Sequence, residues 1–145
     1  MNATVIVPST YEAIHYEAVC RLIRQLTARE VVFTPEDYRW LVTASCSRLF
    51  LLLVEGNVVG MLTIGMYLSP TGSKAWIEDV VVDESLRGCG MGRMLVEHAI
   101  DFCKKEGIDT VYLTSNPKRI AANGLYQSVG FGRKETNMYK MDLKK

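Results

Sequence analysis

A glycine-rich turn in the second half of the chain is the segment whose residue types most clearly suggest chemistry. Glycines stand at positions 88, 90 and 92, between an apolar run that ends at Val82 and a helical pattern that follows at once. Glycines leave the backbone open to close approach, and the first amides of a helix lack internal partners and carry partial positive charge. A pyrophosphate is the natural ligand of such a turn, and Arg87 and Arg93 add two side chains for charged hydrogen bonds.

The turn does not follow two other well-known phosphate-binding patterns. A P-loop continues with lysine and then serine or threonine after its last glycine, whereas Arg93 and Met94 follow Gly92 here. A dinucleotide-binding fingerprint requires its third glycine at the position of Arg93. A glycine-rich strand–helix turn that binds no ligand stays open as the alternative.

The composition is that of an ordinary globular domain. Of 145 residues, 48% are hydrophobic and 23% are charged, and a chain of this length fits a single domain. No apolar run reaches the ~18–20 residues of a membrane span, and residues 1–8 lack the pattern of a secretory signal. With 17 basic and 16 acidic residues the net charge is +1, which indicates no large basic surface. We therefore expect a soluble cytoplasmic protein that binds neither nucleic acid nor a membrane.

The spacing of cysteines and histidines does not suggest a metal site. No Cys-x-x-Cys pair occurs, and His15 and His98 lie far apart in the sequence, whereas structural zinc sites require clustered ligands. Cys20 and Cys103 fall inside apolar helical patterns, where a free thiol packs as a small hydrophobic group. We expect no metal cofactor.

Hydrophobic periodicity and turn residues predict alternating strands and helices. Ser9 and Glu12 match a capping box at the start of the first helix, and Thr34–Asp37 combines a hydroxyl cap, a proline and two acids at the start of the second. The predicted elements are strand Thr4–Val7, helix 9–27, a helix from Thr34 to about Cys46, strands Leu49–Val54, Val58–Leu68 and Trp76–Val82, helix Gly92–Glu106, strand Val111–Thr114, helix Asn116–Val129, and one or two strands over Phe131–Leu143. This order predicts an α/β (α+β) fold, with one mixed sheet and helices on both faces.

Two motifs together resemble those of the GNAT superfamily of N-acetyltransferases. The pattern Arg-x-x-Gly-x-Gly over residues 87–92, between a strand and a helix, resembles the acetyl-CoA signature of the superfamily. Asn123–Tyr126 followed by Val129–Phe131 is similar to its second motif. The resemblance covers the chain from Trp76 onward, and within it the strand Ile77–Asp83 is most similar to glucosamine-6-phosphate N-acetyltransferases.

The resemblance implies a single GNAT-like N-acetyltransferase domain over residues 1–145, with a mixed, mostly antiparallel central sheet. It also implies that the strand Glu78–Val82 splays from Val111–Thr114, which opens a place for the pantetheine arm of acetyl-CoA. The family often has asparagine at the position of Arg119, whose guanidinium suits a phosphate instead. The residues implied in binding acetyl-CoA are Val80, Val81, Val82, Arg87, Gly88, Cys89, Gly90, Met91, Gly92, Arg93, Asn116, Arg119 and Asn123.

The same resemblance implies a direct transfer of acetyl from the coenzyme's sulfur to an amine. An alkyl ammonium has a pKa of ~10 in water and must lose a proton before it attacks, so a base is needed. Glu78 is the first candidate for the base and Asp79 the second. The backbone amide of Val80 or Val81 is the candidate donor to the oxyanion, and Tyr126 matches the family's general acid.

Other interpretations of these residues stay open. Glu78 also fits a surface carboxylate paired with Lys74, and Tyr126 also fits a core residue with a satisfied hydroxyl. For the whole chain, a non-catalytic acyl-CoA-binding sensor or assembly module is the alternative to an enzyme. The sequence names no acceptor beyond an amine of a small molecule or a protein, and a homodimer is compatible with it.

Overall fold

The sequence forms five strands and four α-helices in the computed structural model, which describes residues 2–144. By their internal contacts, residues 2–114 and residues 115–144 divide into two compact units. The elements of the first unit are β1 (Ala3–Ile6), α1 (Ala13–Leu26), α2 (Pro35–Thr43), β2 (Ser47–Val54), β3 (Asn57–Ser69), β4 (Gly72–Val82), a 3-10 turn (Glu84–Leu86), α3 (Met91–Lys105) and β5 (Thr110–Tyr112). The second unit contains α4 (Ile120–Ser128).

One sheet organises the first unit, with the strand order β1-β2-β3-β4-β5. Neighbouring strands from β1 to β4 run antiparallel, whereas β4 and β5 run parallel and are connected through α3. The turn between β2 and β3 consists of Glu55 and Gly56, with φ angles of 50° and 81°, which is the backbone conformation that a two-residue hairpin requires. These pairings confirm the predicted mixed, mostly antiparallel sheet.

Apolar side chains leave the sheet on both faces, because successive residues of a strand point to opposite sides. In β2, Leu49 lies in one buried cluster with Leu22 of α1 and Tyr38 of α2. Phe50 points to the opposite face, where its ring centroid is 5.5 Å from that of Phe102 in α3. The predicted arrangement of helices on both faces is therefore confirmed. Burial of each leucine side chain in these layers contributes roughly 1.5–3 kcal/mol to the stability of the fold.

Strands β4 and β5 pair over a short length and then part. The register joins residues 74–76 to residues 110–112, and β4 then continues to Val82 with no partner strand on that side within residues 2–144. The predicted splayed strand pair is therefore confirmed. Its second strand is shorter and begins earlier than the predicted Val111–Thr114, because pairing with β4 ends at Tyr112.

A β-bulge interrupts β4 beyond this point. Thr63 pairs with Glu78 and Met61 with Val81, so three steps along β4 oppose two steps along β3. The bulge contains Asp79, whose φ of 52° lies in the left-handed region. An extra residue shifts the alternation of the strand by one, and Glu78 and Val81 consequently lie on the same face of the sheet.

The start of α1 differs from the prediction. The helix begins at Ala13, and Glu12 is its N-cap without a side-chain capping bond. The Glu12 carboxylate instead lies 3.2 Å from Nδ1 of His15. The predicted capping box of Ser9 and Glu12 is therefore wrong, because the residue expected at the third helical position is itself the cap.

The C-terminal unit differs from the prediction in two places. Helix α4 starts after Arg119 rather than at Asn116, because the side-chain oxygen of Asn116 accepts a hydrogen bond from Lys118 N–H (2.9 Å) and its carbonyl accepts one from Arg119 N–H (3.0 Å), which closes a turn. The strand or strands predicted over Phe131–Leu143 are wrong, since residues 131–144 form no strand. Alternating apolar residues are present there, but a strand also needs backbone hydrogen bonds to a partner strand. Tyr139 of this segment is 85% exposed.

The predicted start of α2 is confirmed. Thr34 Oγ1 accepts a hydrogen bond from the Asp37 N–H at 3.1 Å, and the Asp37 carboxylate accepts one from the Thr34 N–H at 2.9 Å. Pro35 occupies the first helical position. This reciprocal pair satisfies two backbone donors that the helix itself leaves unpaired.

Thr34→Ala removes this cap and should lower the free energy of unfolding by about 1 kcal/mol, because the Asp37 N–H loses its acceptor. Ser9→Ala is the matched control: Ser9 is exposed and does not cap α1, so its removal should change the stability by less than about 0.5 kcal/mol. Urea unfolding followed by circular dichroism measures both variants. Equal losses in the two variants would contradict the assigned caps.

Candidate active site

Glu78, the candidate base, lies on β4 at the edge of the bulge. Its side chain is exposed, yet the pKa of its carboxyl is raised, first because the surrounding protein partly desolvates it and second because the Asp79 carboxylate is adjacent. Lys74, the alternative ion-pair partner, directs its Nζ to the hydroxyls of Ser69 and Thr71. The geometry therefore favours a carboxylate that accepts protons over one neutralised by lysine.

The residues that follow the bulge present a free strand edge. Val81 and Val82 pair with Met61 and Gly60 of β3 on one side. On the other side, within the described part of the chain, β5 has already ended and no strand pairs with Val80–Val82. Backbone N–H and C=O groups on such an edge can pair with an extended ligand in the manner of an added strand.

Asp83 holds the chain where it leaves β4. Its carboxylate accepts hydrogen bonds from the Ser85 N–H at 3.0 Å, from Ser85 Oγ at 2.8 Å and from Gln25 Nε2 at 3.4 Å. The bonds from Ser85 are the largest cause of the lowered pKa of Asp83, and the charge of Arg21 adds to it. Gln25 Oε1 also accepts from the Glu84 N–H at 2.9 Å, so α1 fixes the beginning of the turn. Sequence analysis missed this anchor, although the Asp-x-Ser spacing is a turn signal.

The glycine turn itself has the backbone that only glycine adopts readily. Gly88 and Gly90 have φ angles of 81° and 80°, and a Cβ at either position would meet no atom within 4 Å. Gly90 is the N-cap of α3 and provides no side-chain cap. Arg87 Nε donates to the Val82 carbonyl at 3.3 Å, and Cys89 is exposed beside it. The turn thus presents helix amides to open space, as an anion site requires.

The first turn of α3 contains the remaining predicted residues of this segment. Met91 is buried, Gly92 is partly buried and Arg93 is exposed. Because the Met91 side chain packs inward, only its backbone faces the anion site proposed for this turn. Arg93 is the one charged side chain on this first turn.

In the second unit, the predicted asparagines form local hydrogen bonds. Asn123 Nδ2 donates to the carbonyls of Asn116 at 2.9 Å and of Arg119 at 2.8 Å. Arg119 is the N-cap of α4 and is exposed. Asn123 therefore commits its two amide hydrogens to the start of α4 and keeps its side-chain oxygen as an acceptor.

Tyr126, the candidate acid, is 6% exposed. Its ring centroid lies 6.2 Å from that of Phe131 in an edge-to-face arrangement. Burial raises the pKa of its hydroxyl, and the nearby charge of Arg119 partly offsets this. The residue is thus buried, as the core interpretation expects, and keeps a protonated hydroxyl at neutral pH, as the acid interpretation requires.

The predicted site residues form two groups. Those from Glu78 to Arg93 follow one another along β4, the glycine turn and α3 of the first unit, and those from Asn116 to Tyr126 lie at α4 in the second. Within residues 2–144, no three His, Cys, Asp or Glu side chains are grouped closely enough to hold a metal ion. None of the helices in this part of the chain has the length and apolar character needed to cross a membrane.

Comparison with known sequences connects this geometry with one family. The model of the acetyltransferase (GNAT) family matches residues 16–131. The chain is similar to the ribosomal protein bS18-alanine N-acetyltransferase of Escherichia coli (strain K12), with 38% identity over 58 residues, 40% of this chain and 39% of that protein. It is also similar to the glucosamine 6-phosphate N-acetyltransferase of Trypanosoma brucei brucei, with 37% identity over 67 residues, 46% of this chain and 43% of that protein. The matched regions span less than half of these relatives.

Comparison with solved structures concerns the fold. An aminoglycoside acetyltransferase from an uncultured soil metagenomic sample, in complex with sisomicin, superposes with a TM-score of 0.87 at 18% identity and covers 98% of this chain and 97% of that one. The glucosamine-6-phosphate N-acetyltransferase of Arabidopsis thaliana gives a TM-score of 0.78 at 22% identity, over 95% of this chain and 98% of that one. At these identities the similarity confirms the predicted fold class.

The raised pKa of Glu78 makes a prediction about stability. Because this pKa lies above the value in the unfolded chain, the native state loses stability as the pH rises through it and the carboxyl ionises. Glu78→Gln keeps the size and shape of the side chain but removes its negative charge. The melting temperature of this variant should therefore exceed that of the wild type at pH 7. The difference should disappear as the pH falls to about 3, well below the pKa of ~4.3 of an unperturbed glutamate, where the carboxyl is protonated in both states of the wild type.

Glu30→Gln, in the loop before α2, provides the control: Glu30 is also exposed, but its sequence neighbours are Arg29 and Val31 rather than a second carboxylate, so we expect no rise in melting temperature. Thermal unfolding by circular dichroism across this pH range measures both variants. A lower melting temperature for Glu78→Gln at pH 7 is the result that would contradict the raised pKa.

Proposed function

Because the chain belongs to the acetyltransferase (GNAT) family, we propose that it transfers the acetyl group of acetyl-CoA directly to a primary amine. The observation that carries the proposal is the continuous path from the free edge of β4 to the glycine turn at the start of α3. The edge offers backbone partners to amides, and the turn offers amides and open space to phosphates. Acetyl-CoA contains both kinds of group, since its pantetheine arm carries two amides and ends in a pyrophosphate.

In the proposed complex, Val80 and Val82 pair with the pantetheine amides, and the turn from Arg87 to Arg93 binds the pyrophosphate. Arg87 Nε already donates to the Val82 carbonyl, so phosphate contacts fall to its terminal nitrogens. From the second unit, Arg119 contributes positive charge and the asparagines contribute acceptors. Asn123 can accept a hydrogen bond from a pantetheine N–H, because its own amide hydrogens are committed to the backbone.

In the proposed reaction, the neutral amine nitrogen attacks the thioester carbonyl carbon and its proton passes to Glu78, directly or through water. A raised pKa makes this carboxylate a better proton acceptor than an unperturbed glutamate. Asp79 is the second candidate, since it lies in the same bulge. The developing oxyanion is stabilised by the backbone N–H of Val80 or Val81.

The reaction ends when the C–S bond breaks and the departing thiolate takes a proton from Tyr126. A thiol has a pKa of ~8.5, whereas burial raises the pKa of Tyr126 above its usual value. The hydroxyl therefore stays protonated at neutral pH, and it donates to the sulfur while the C–S bond breaks. The products are an N-acetylated amine and free coenzyme A. Glu78 ends the step protonated and Tyr126 deprotonated, and exchange with water returns the proton from one residue to the other.

We further take residues 1–145 as one N-acetyltransferase domain, in keeping with the near-complete coverage of the solved structures. The names of these proteins point to amines on a protein alanine, an amino sugar and an aminoglycoside. Their shared chemistry supports an amine acceptor for this chain. A cytoplasmic location and a homodimer stay predictions.

The cofactor proposal predicts a thermal shift that depends on Gly90. Acetyl-CoA at about 100 times its Kd should stabilise the wild type by about 2.7 kcal/mol, and Gly90→Glu should abolish this gain by placing a negative side chain in the open space of the turn. Gly107→Glu is the matched control, because Gly107 also has a positive φ (71°) and open surroundings but lies at the other end of α3. An undiminished shift in Gly90→Glu would place the ligand elsewhere.

Cys89 gives a second readout of the same site in the unmodified protein. Its thiol is exposed in the glycine turn, where a reagent in solution can reach it. A small alkylating reagent should therefore label Cys89 before the buried Cys103, and acetyl-CoA should protect it. Mass spectrometry of the alkylated peptides decides this, and labelling of Cys89 at an unchanged rate with acetyl-CoA bound contradicts a pyrophosphate in the turn.

The proposed acid predicts a selective loss of turnover. Tyr126→Phe should lower kcat by roughly 100-fold or more, the usual contribution of a positioned acid, and leave the KM for acetyl-CoA nearly unchanged because the hydroxyl acts only when the thiolate departs. Tyr139→Phe changes an 85% exposed tyrosine and should have no effect. Release of free thiol from acetyl-CoA measures both, and a wild-type kcat in Tyr126→Phe would assign the acid to another group.

A further inference from the structure

A row of four residues crosses the sheet beside Glu78 and contains a gap. The register pairs Ser47 with Gly65, Gly65 with Trp76, and Trp76 with Tyr112, across β2, β3, β4 and β5. Register partners point to the same face of a sheet. Leu49, two residues from Ser47, belongs to the buried cluster that includes α1, so the row lies on the α1 face.

The indole ring of Trp76 is held in place by two contacts in this row. Its ring stacks on Tyr112, with 5.1 Å between centroids and 24° between planes, and its Nε1 donates to the Tyr67 hydroxyl at 3.2 Å. Tyr112 covers the indole on the β5 side, so the opposite face of the indole is turned toward β3. Stacking and the hydrogen bond together hold the indole in one orientation.

Gly65 lies on β3 directly beside Trp76 and forms the base of the open space next to the indole. It has no side chain, and a Cβ built at this position would meet no atom within 4 Å. On the same face of β3, Met61 lies four residues away and is fully packed into the core. The face is thus filled at Met61 and open at Gly65, which leaves a slot between Trp76 and Ser47. We term it the Trp76 slot.

The slot ends at the candidate base. Glu78 lies two residues beyond Trp76 on the same face of β4, and two such residues are about 7 Å apart along a strand. The register partner of Glu78 on β3 is Thr63. This spacing is comparable with the width of one six-membered ring and its amino substituent. A ring that lies against the indole therefore brings its amine to the Glu78 carboxylate.

The groups around the slot select among possible occupants. The backbones of β3 and β4 are paired with each other and with their outer neighbours along this row, so an extended peptide finds no strand to pair with. The slot offers instead an aromatic face and the hydroxyls of Ser47, Thr63 and Tyr67. An apolar ring face with hydroxyl substituents and an amine, as in an amino sugar, matches all of these groups.

We propose that the Trp76 slot binds the acceptor and selects amino sugars. The pyranose ring stacks on Trp76 above Gly65, its hydroxyls contact the surrounding hydroxyl side chains, and its amine lies at Glu78. This inference rests on the proposed acetyl transfer and names the substrate class of that same site.

Fluorescence tests the slot independently of catalysis. The chain has two tryptophans, and Trp40 is 76% exposed on α2, so Trp40→Phe leaves Trp76 as the only tryptophan. Titration of this variant with glucosamine should give a saturable change in emission. Glucose, which lacks the amine, should bind at least about tenfold more weakly, and a short peptide with an N-terminal alanine should give no saturable change.

Gly65→Val in the same background fills the slot without straining the fold. The added side chain enters open space, and valine favours a strand more than glycine does. Glucosamine should bind about tenfold more weakly or worse, with an equal rise in its KM, while the thermal shift from acetyl-CoA stays unchanged. Gly132→Val, which also enters open space, is the control and should change none of these.

The outcomes separate this inference from the proposed function. Saturable binding of the peptide without binding of glucosamine, no response to either, or full glucosamine binding in Gly65→Val overturns the slot. Slot-dependent glucosamine binding without acetyl transfer supports the slot and counts against the transferase. Acetyl transfer to another amine without glucosamine binding supports the transferase and overturns the slot.

Discussion

β4 and β5 run side by side for three residues and then separate, so within residues 2–144 one edge of β4 has no partner strand from Ile77 to Val82. An open strand edge is ordinarily a liability, and here it leads straight into the glycine turn at the start of α3. The bulge at Asp79 acts on the same strand and places Glu78 and Val81 on one face. The free edge, the position of the candidate base and the approach to the proposed anion site therefore all depend on how β4 departs from a regular ladder.

Two carboxyl groups on this strand and its exit have opposite electrostatic environments. The pKa of Glu78 is raised by partial desolvation and by the Asp79 charge, whereas that of Asp83 is lowered by hydrogen bonds from Ser85 and Gln25. Burial disfavours the charged form of a carboxyl and hydrogen bonds to it favour that form. Asp83 is thus suited to hold the turn as a permanent anion, and Glu78 to exchange a proton.

Local hydrogen bonds also limit what the second unit can contribute to a ligand. Asn123 and Asn116 organise the start of α4 through bonds of 2.8–3.0 Å, which leaves Asn123 an acceptor rather than a donor. Arg119 keeps an exposed positive charge at the same helix start and lowers the pKa of Tyr126 against the effect of burial. Burial and Arg119 therefore act on the pKa of this hydroxyl in opposite directions.

Several features that depend on neighbours in sequence were predictable from the sequence alone, although the Ser9–Glu12 capping box and the start of α4 were not. The Thr34 cap, the glycine turn and the pair of strands on either side of Gly56 follow from short-range hydrogen bonds and backbone preference. Two motifs in the right order identified the family. The bulge at Asp79, the short β5 and the row through Gly65 were not predictable, because each depends on which residue of another strand lies opposite. The strands predicted over Phe131–Leu143 were wrong for the same reason. An alternating pattern specifies which side chains share a face, but only a partner strand supplies the backbone hydrogen bonds.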